Sequence, residues 1–100
     1  MSALTAPQAD QLAALCRRWK IRELSLFGSL ARGEAGPDSD VDLLVEYEPD
    51  ADWSLFDTAQ LRTELAELFG RPVDLVRDPD ITNPYRRVSI HRDLRLLYAA

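Results

Sequence analysis

The sequence predicts a small α/β fold, of the α+β kind, in which a mixed β-sheet of about four strands carries helices packed against it. Three observations support this. Helical and strand patterns alternate as helix, strand, short helix, strand, helix, strand, short helix, strand. Residues 40–47 are apolar on both faces through their middle, which is typical of a central strand. The 100 residues suit one modest core and contain no linker or repeat, so we expect a single domain over residues 1–100.

The first helix and the first strand follow from the spacing of apolar residues. Thr5 is a favourable helix-capping residue, and apolar positions after it recur at intervals of three and four, as in an amphipathic helix. Cys16 and Trp19 belong to that stripe, so we predict that both side chains lie in the core. Residues 23–27 are predicted to form a short strand that ends at a Gly-Ser pair.

Capping residues and glycines define the middle of the chain. Residues 29–32 can form a short helix, and residues 40–47 form the second strand. Ser54 and Asp57 have the spacing of a capping box, and Gly70 is a favourable helix end. A longer helix is therefore predicted between the second and third strands.

The last quarter of the chain has weaker signals. Residues 72–76 are predicted to form the third strand, and residues 78–84 have the composition of a loop. Residues 85–92 can form a short helix and residues 94–98 a last strand.

Charge and cysteine content exclude several classes of protein. The net charge of −5 argues against a general nucleic-acid coat or a binder of anionic membranes, which need a cationic face. No segment is apolar enough to span a bilayer, and the N-terminus lacks a signal-peptide pattern. Cys16 is the only cysteine, so the fold does not depend on an internal disulfide. We therefore expect a cytoplasmic protein without membrane contact or direct nucleic-acid binding.

Two aspartates stand one residue apart within the second predicted strand. The period of two places Asp40 and Asp42 on one face, about 6–7 Å apart at Cα, and turns Val41, Leu43 and Val45 toward the core. Two such carboxylates repel each other unless a cation lies between them, and Mg²⁺ prefers carboxylate and phosphate oxygens. Paired Mg²⁺ ions about 4 Å apart support in-line phosphoryl displacement. The alternative is a solvated start of a strand.

A third aspartate lies within the third predicted strand. Asp74 is flanked by apolar residues, and a carboxylate in a central strand is costly unless it is paired or bound to a metal. If this strand adjoins residues 40–47, Asp74 joins the first two carboxylates. The alternative is that it lies at a solvated strand end.

A Gly-Ser pair between a strand and a helix can bind an anion. Free amides at a helix start, together with the Ser29 hydroxyl, can hold a phosphate, and Gly28 permits its close approach. Arg32, one turn later, can add a charged contact to a phosphate oxygen. A Gly-Ser pair alone carries little information.

The combination of these motifs is specific. Gly28-Ser29, then Asp40-Val41-Asp42 and then Asp74 resembles the signature of the nucleotidyltransferase superfamily that includes DNA polymerase β. From about residue 12 to residue 99, the chain resembles MNT proteins, minimal nucleotidyltransferases that serve as antitoxins in HEPN/MNT toxin–antitoxin pairs. The segments that carry this likeness are residues 27–33, 39–45, 72–76, 83–87 and 96–98.

The resemblance implies the nucleotidyltransferase fold and a catalytic role for the aspartates. Asp40 and Asp42 would hold two Mg²⁺ ions. Asp74 would ligate one of these ions and act as the base toward the attacking hydroxyl. The implied reaction moves a nucleoside monophosphate from a nucleoside triphosphate to a hydroxyl, and pyrophosphate leaves.

The resemblance also implies a nucleotide site and a protein partner. Gly28 and Ser29 would bind the phosphates, with Arg32 and Ser39 as helpers. In the family, members paired with a HEPN ribonuclease can transfer AMP from ATP to a tyrosine of that toxin. The expected partners of this chain are therefore ATP and a HEPN-domain toxin.

Other functions stay open at this stage. The chain could be a non-catalytic antitoxin that acts by binding alone, or it could transfer a nucleotide to a small molecule or an RNA end. Because the chain has no room for an acceptor domain, the acceptor is expected on another macromolecule or on a second copy in a homo-oligomer. The apolar residues Leu55, Phe56 and Ile81 could belong to the core or to an interface.

Overall fold

The computed structural model describes residues 6–34, 36 and 38–100, and it contains the predicted elements in the predicted order. The helices are α1 (Ala6–Arg18), α2 (Gly28–Arg32), α3 (Leu55–Phe69) and α4 (Pro84–Arg92). The strands are β1 (Ile21–Phe27), β2 (Val41–Tyr47), β3 (Val73–Arg77) and β4 (Arg95–Ala99). The predicted capping residue Thr5 lies outside the described residues.

The four strands form one mixed sheet in the order β3-β2-β1-β4. Strands β2 and β3 are parallel, and α3 connects them, because parallel neighbours need a crossover connection. The β1–β2 and β1–β4 pairs are antiparallel. The predicted fold class, a small mixed sheet with packed helices, is therefore confirmed. None of the helices formed by the described residues combines the length and the apolar character that spanning a bilayer requires.

The main core lies between one face of the sheet and the helices α1 and α3. Cys16 and Trp19 are buried there, as predicted, and Trp53 packs edge-on against Trp19 with ring centroids 4.9 Å apart. The Trp53 indole N–H also donates a 2.8 Å hydrogen bond to the Trp19 carbonyl. On the other face of the sheet, a smaller cluster is formed by Phe27, Ile81 and Ile90.

Local signals set the ends of α3 as the sequence predicts. The Ser54 side chain accepts a hydrogen bond from the Asp57 amide, and the Asp57 carboxylate accepts one from the Ser54 amide, so the capping box is formed. Gly70 ends the helix in the left-handed conformation, with φ of 69°. The ends of α3 fix where β3 begins and hence where Asp74 lies.

Several predicted boundaries are wrong by a few residues. Strand β1 begins at Ile21, two residues before the predicted start, and Asp40 lies just before β2 instead of within it. Pro72, opposite the start of β2, has no amide hydrogen with which to extend the β2–β3 ladder, and this explains the later start. The predicted loop after β3 contains a 3-10 turn, Asp78–Asp80.

The burial of Leu55, Phe56 and Ile81 shows which of these apolar residues belong to the core, a question that the sequence left open. Ile81 is buried, whereas Leu55 and Phe56 at the start of α3 are 89% and 90% exposed. Ile81 is held in place because its carbonyl accepts a hydrogen bond from Arg87 of α4. Leu55 and Phe56 are therefore surface residues of this chain.

Cys16 is expected to resist alkylation in the folded protein. Its side chain is fully buried, and burial raises the pKa of the thiol to about 12, so almost no thiolate is present at pH 8. Iodoacetamide at pH 8 should leave the native chain unmodified and label the urea-unfolded chain once, as measured by intact mass. Rapid labelling of the native chain would contradict the burial.

Candidate active site

Three structural features come together at one end of the central strands. Asp42 near the start of β2 pairs with Phe27 at the end of β1, and Gly28 follows Phe27 directly. On its other side, Asp42 pairs in register with Asp74 of β3. Neighbouring strands lie about 4.8 Å apart, so the Gly-Ser turn, Asp42 and Asp74 form a row across three adjacent strands. The sequence analysis left open whether the Asp74 strand adjoins the Asp42 strand, and the pairing of β2 with β3 shows that it does.

Asp42 occupies the middle of this row and is half-buried. The residues on either side of it, Val41 and Leu43, point into the core, as the alternation predicted. Burial raises the pKa of the Asp42 carboxyl, and the negative charges of Asp74 and Asp40 raise it further. The three carboxylates therefore act on one another electrostatically, as expected for a group that is completed by a cation.

Gly28 is in close contact with Asp42. Its φ is 77°, in the left-handed region that favours glycine. A Cβ atom at this position would lie 2.3 Å from Oδ2 of Asp42. In the sequence analysis, Gly28 permits the close approach of a phosphate. The structure adds a second reason for a glycine at this position, because the Asp42 carboxylate occupies the space that a side chain would need.

Asp40, two residues before Asp42 in the chain, and Asp74, beside Asp42 on β3, are both exposed. Within residues 6–34, 36 and 38–100, no three His, Cys, Asp or Glu side chains form a ready-made metal cluster. Mg²⁺ commonly binds through one or two carboxylates and completes its ligands with water and substrate phosphates. The arrangement suits a metal that arrives together with a nucleotide.

The backbone at the start of α2 can receive an anion. Phe27, the residue at its N-cap, makes no side-chain cap hydrogen bond, so the N-cap residue supplies no side-chain acceptor to the first amides of the helix. Ser29 is half-buried in this first turn. The predicted phosphate-binding residues Gly28 and Ser29 thus stand beside Asp42.

The two predicted helper residues are engaged within the chain. The Arg32 guanidinium donates hydrogen bonds to Glu34 at 3.0 Å and to Asp93 at 3.2 Å, and these contacts raise its pKa. The Ser39 hydroxyl accepts a 2.9 Å hydrogen bond from the Gly36 amide. In this structure Arg32 joins α2 to the residue after α4, and Ser39 stabilises the turn before β2.

Arg86, in the first turn of α4, is a charged neighbour of Asp42 that sequence reasoning did not assign to the site. Its positive charge, together with that of Arg32, lowers the pKa of Asp42 against the larger opposing effects. No spacing in the sequence signals this proximity, because it depends on how α4 packs on the sheet. The site therefore has a cationic side formed by the helix.

The fold and this row of residues define a nucleotidyltransferase. The family model for the nucleotidyltransferase domain matches residues 9–97, and the chain belongs to this family.

Individual relatives support this assignment. The protein adenylyltransferase MntA of Thermococcus cleftensis is 44% identical over 75 residues, which are 75% of this chain and 70% of that protein. A solved structure described as "Structure of putative minimal nucleotidyltransferase" has a TM-score of 0.71 and 36% identity, and the match covers 89% of this chain and 88% of that chain.

A more distant structure shares the fold. It is a complex of a tri-AMPylated HEPN toxin from Shewanella oneidensis with an MNT antitoxin. The TM-score is 0.64 with 19% identity, and the match covers 94% of this chain and 71% of the matched chain.

Proposed function

We propose that this chain is a Mg²⁺-dependent adenylyltransferase that transfers AMP from ATP to a hydroxyl, most directly a tyrosine, of a HEPN-domain toxin and so acts as its antitoxin. The observation that carries the proposal is the register of β1, β2 and β3, which aligns Gly28, Asp42 and Asp74. The relative named protein adenylyltransferase MntA and the fold neighbour solved with a tri-AMPylated HEPN toxin support it.

The residues present fit a divalent cation. Ionised Asp42 is destabilised by burial and then by the charges of Asp74 and Asp40, and a bound cation would offset that repulsion. Asp40, Asp42 and Asp74 would hold two Mg²⁺ ions, with phosphate oxygens of ATP as further ligands. When bound, these ions supply charge stabilisation for the phosphoryl group in the transition state.

The other steps of the proposed reaction are assigned to residues of the chain. The amides at the start of α2 and the Ser29 hydroxyl hold the phosphates, and Gly28 keeps the backbone close to Asp42. The exposed Asp74 carboxylate accepts the proton of the acceptor hydroxyl. The acceptor oxygen bonds to the α-phosphorus, the bond from that phosphorus to the bridging oxygen breaks, and pyrophosphate leaves. Arg32 and Ser39 stay predicted helpers whose present contacts are within the chain.

A second function, neutralisation by binding alone, uses the same partner. The clustered carboxylates disfavour it, because they cost stability and occlusion does not require them. Transfer to a small molecule or to an RNA end is a third possibility, and the acidic charge of the chain disfavours RNA. A homo-oligomer would be compatible with the proposed reaction.

The decisive experiment follows the mass of the partner. A candidate HEPN-domain protein from the same genome is incubated with this chain, ATP and Mg²⁺, and analysed by intact mass and peptide mapping. We expect a gain of one or more AMP groups, which is lost with EDTA or with the Asp40→Ala/Asp42→Ala variant. A partner of unchanged mass that the variant still neutralises would support binding alone and contradict the proposed catalysis.

A further inference from the structure

We infer that the outward face of α4, formed by Tyr85, Val88 and Arg92, is a docking surface for an acidic surface of the protein that carries the acceptor hydroxyl. This inference rests on the proposed function, because it names the surface through which the proposed acceptor protein is held. Four properties of α4 support it, namely its fixed inner side, its exposed apolar residues, its position and its charge.

The inner side of α4 is fixed by contacts with the rest of the chain. Ile90 is buried against Phe27, and the Arg87 guanidinium donates hydrogen bonds to the Asp78 carboxylate and to the Ile81 carbonyl. Further along the helix, His91 is 2.7 Å from Asp78. These contacts determine which residues of α4 face outward, so its outer face is held in place before any partner binds.

The outward face exposes apolar surface. Tyr85 is 85% exposed and Val88 is 60% exposed. They are three residues apart, so they lie on the same side of the helix, and Arg92 follows four residues after Val88 on that side. Tyrosine and arginine are over-represented among the residues that dominate binding energy in protein interfaces. An exposed tyrosine beside a branched apolar residue suits a protein surface.

The location of α4 connects this surface with the chemistry. Ile90 packs against Phe27, the residue that precedes Gly28 and pairs with Asp42. Just beyond α4, Asp93 forms an ion pair with Arg32 of α2 at 3.2 Å. The helix therefore borders the candidate active site, and Arg86 in its first turn acts electrostatically on Asp42.

The charge of α4 specifies the partner. In a chain of net charge −5, this nine-residue helix contains Arg86, Arg87, His91 and Arg92 and no acidic residue. Arg87 and His91 are paired with Asp78, whereas Arg86 and Arg92 form no ion pair with any described residue. Unpaired arginines beside apolar side chains are complementary to an acidic protein surface. An RNA could also form ion pairs with the arginines, but RNA binding would not account for the exposed apolar side chain of Val88.

The test compares two exposed apolar surfaces of the same chain. The double variant Val88→Asp/Arg92→Glu alters the docking surface and leaves Arg86 unchanged, because Arg86 also acts on Asp42. The control is Phe56→Ala, since Phe56 is also an exposed apolar residue but lies at the start of α3. By isothermal titration calorimetry with the candidate HEPN-domain protein, we expect the double variant to bind at least about tenfold more weakly and the control to bind unchanged.

A second measurement leaves the charges in place. The photo-crosslinking residue p-benzoylphenylalanine is introduced at position 85 or, as the control, at position 56. Crosslinks from position 85 to an acidic segment of the HEPN-domain protein, with none from position 56, would support the docking surface. Unfolding temperature and ATP binding are measured for each variant, so that a folding defect is recognised and the crosslinking result then decides.

The outcomes separate this inference from the proposed function. If the double variant binds and modifies the partner as the native chain does, the docking surface is wrong and the proposed transfer stands. If the native chain transfers no AMP but the double variant still weakens binding, the transfer is wrong and the docking surface stands. If the double variant instead loses binding to poly(U) RNA and keeps binding to the protein, α4 is an RNA surface and the inference is overturned.

Discussion

Replacing Asp42 with asparagine is expected to lower the rate of nucleotidyl transfer by about a thousandfold, which corresponds to about 4 kcal/mol in the activation barrier. The substitution keeps the size of the side chain and removes its negative charge. Asp42 lies between Gly28 and Asp74, so it is the carboxylate that both other parts of the site depend on. The rate is measured as AMP incorporated into the HEPN-domain protein at saturating ATP and Mg²⁺.

The matched control is Glu46→Gln. Glu46 lies two strand periods after Asp42 on β2. Glu46 is exposed and shares the face of Asp42, but it lies four residues from the site. We expect Glu46→Gln to retain the native rate within about twofold, since an exposed ion pair such as that of Glu46 with Arg22 contributes little. A similar loss in both variants would show that the general acidity of β2 matters, and not the position of Asp42.

The same Asp42→Asn substitution is expected to stabilise the metal-free protein. Burial and the neighbouring carboxylates raise the pKa of Asp42, so the folded state binds this proton more tightly than the unfolded chain does. The stability contributed by Asp42 therefore falls as the pH rises from about 4, its unfolded value, through the raised folded pKa. The neutral asparagine side chain removes this penalty at pH 7.

The expected gain in the free energy of unfolding is at most about 1 kcal/mol, because water still screens this half-buried group. Urea unfolding in EDTA at pH 7 measures it. Added Mg²⁺ should stabilise the native chain more than the variant, since the carboxylate is a proposed ligand. A variant that is less stable than the native chain in EDTA would show that Asp42 supports the fold instead of burdening it.

The sequence predicted the local parts of this site because local physics determines them. The alternation of β2 alone placed Asp42 on the face opposite Val41 and Leu43, and the capping box of Ser54 with Asp57 placed the start of α3. These features depend on residues at most a few positions apart, so they are legible in a single sequence.

The assembly of the site depends on long-range contacts that spacing does not encode. The pairing of Asp42 with Asp74 joins residues 32 positions apart, and the sequence predicted it only on the condition that their strands are neighbours. The charge of Arg86 beside Asp42 and the ion pair of Arg32 with Asp93 depend on how α4 crosses the sheet. Likewise Ile81 is buried and Phe56 is exposed, although both are apolar residues near the end of an element.

Replacing Gly28 with alanine is expected to damage both the fold and the reaction. An alanine with φ of 77° costs about 1–2 kcal/mol, and its Cβ would lie 2.3 Å from Oδ2 of Asp42. Because this distance is far below van der Waals contact, the Asp42 carboxylate must move. A displacement of about 1 Å at a reacting centre can cost about a hundredfold in rate. Urea unfolding and AMP incorporation measure the two effects.

The control variant Gly70→Ala separates the effect of the strained backbone from the effect of the steric clash with Asp42. Gly70 also has a positive φ, of 69°, but nothing lies within 4 Å of the position that its Cβ would take. We expect Gly70→Ala to lose about 1–2 kcal/mol of stability and to keep the native transfer rate, because only the left-handed backbone is strained. The rate should therefore fall in Gly28→Ala alone. Equal rates in the two variants would show that Asp42 accommodates the methyl group, and Gly28 would then matter to the fold and not to the position of the carboxylate.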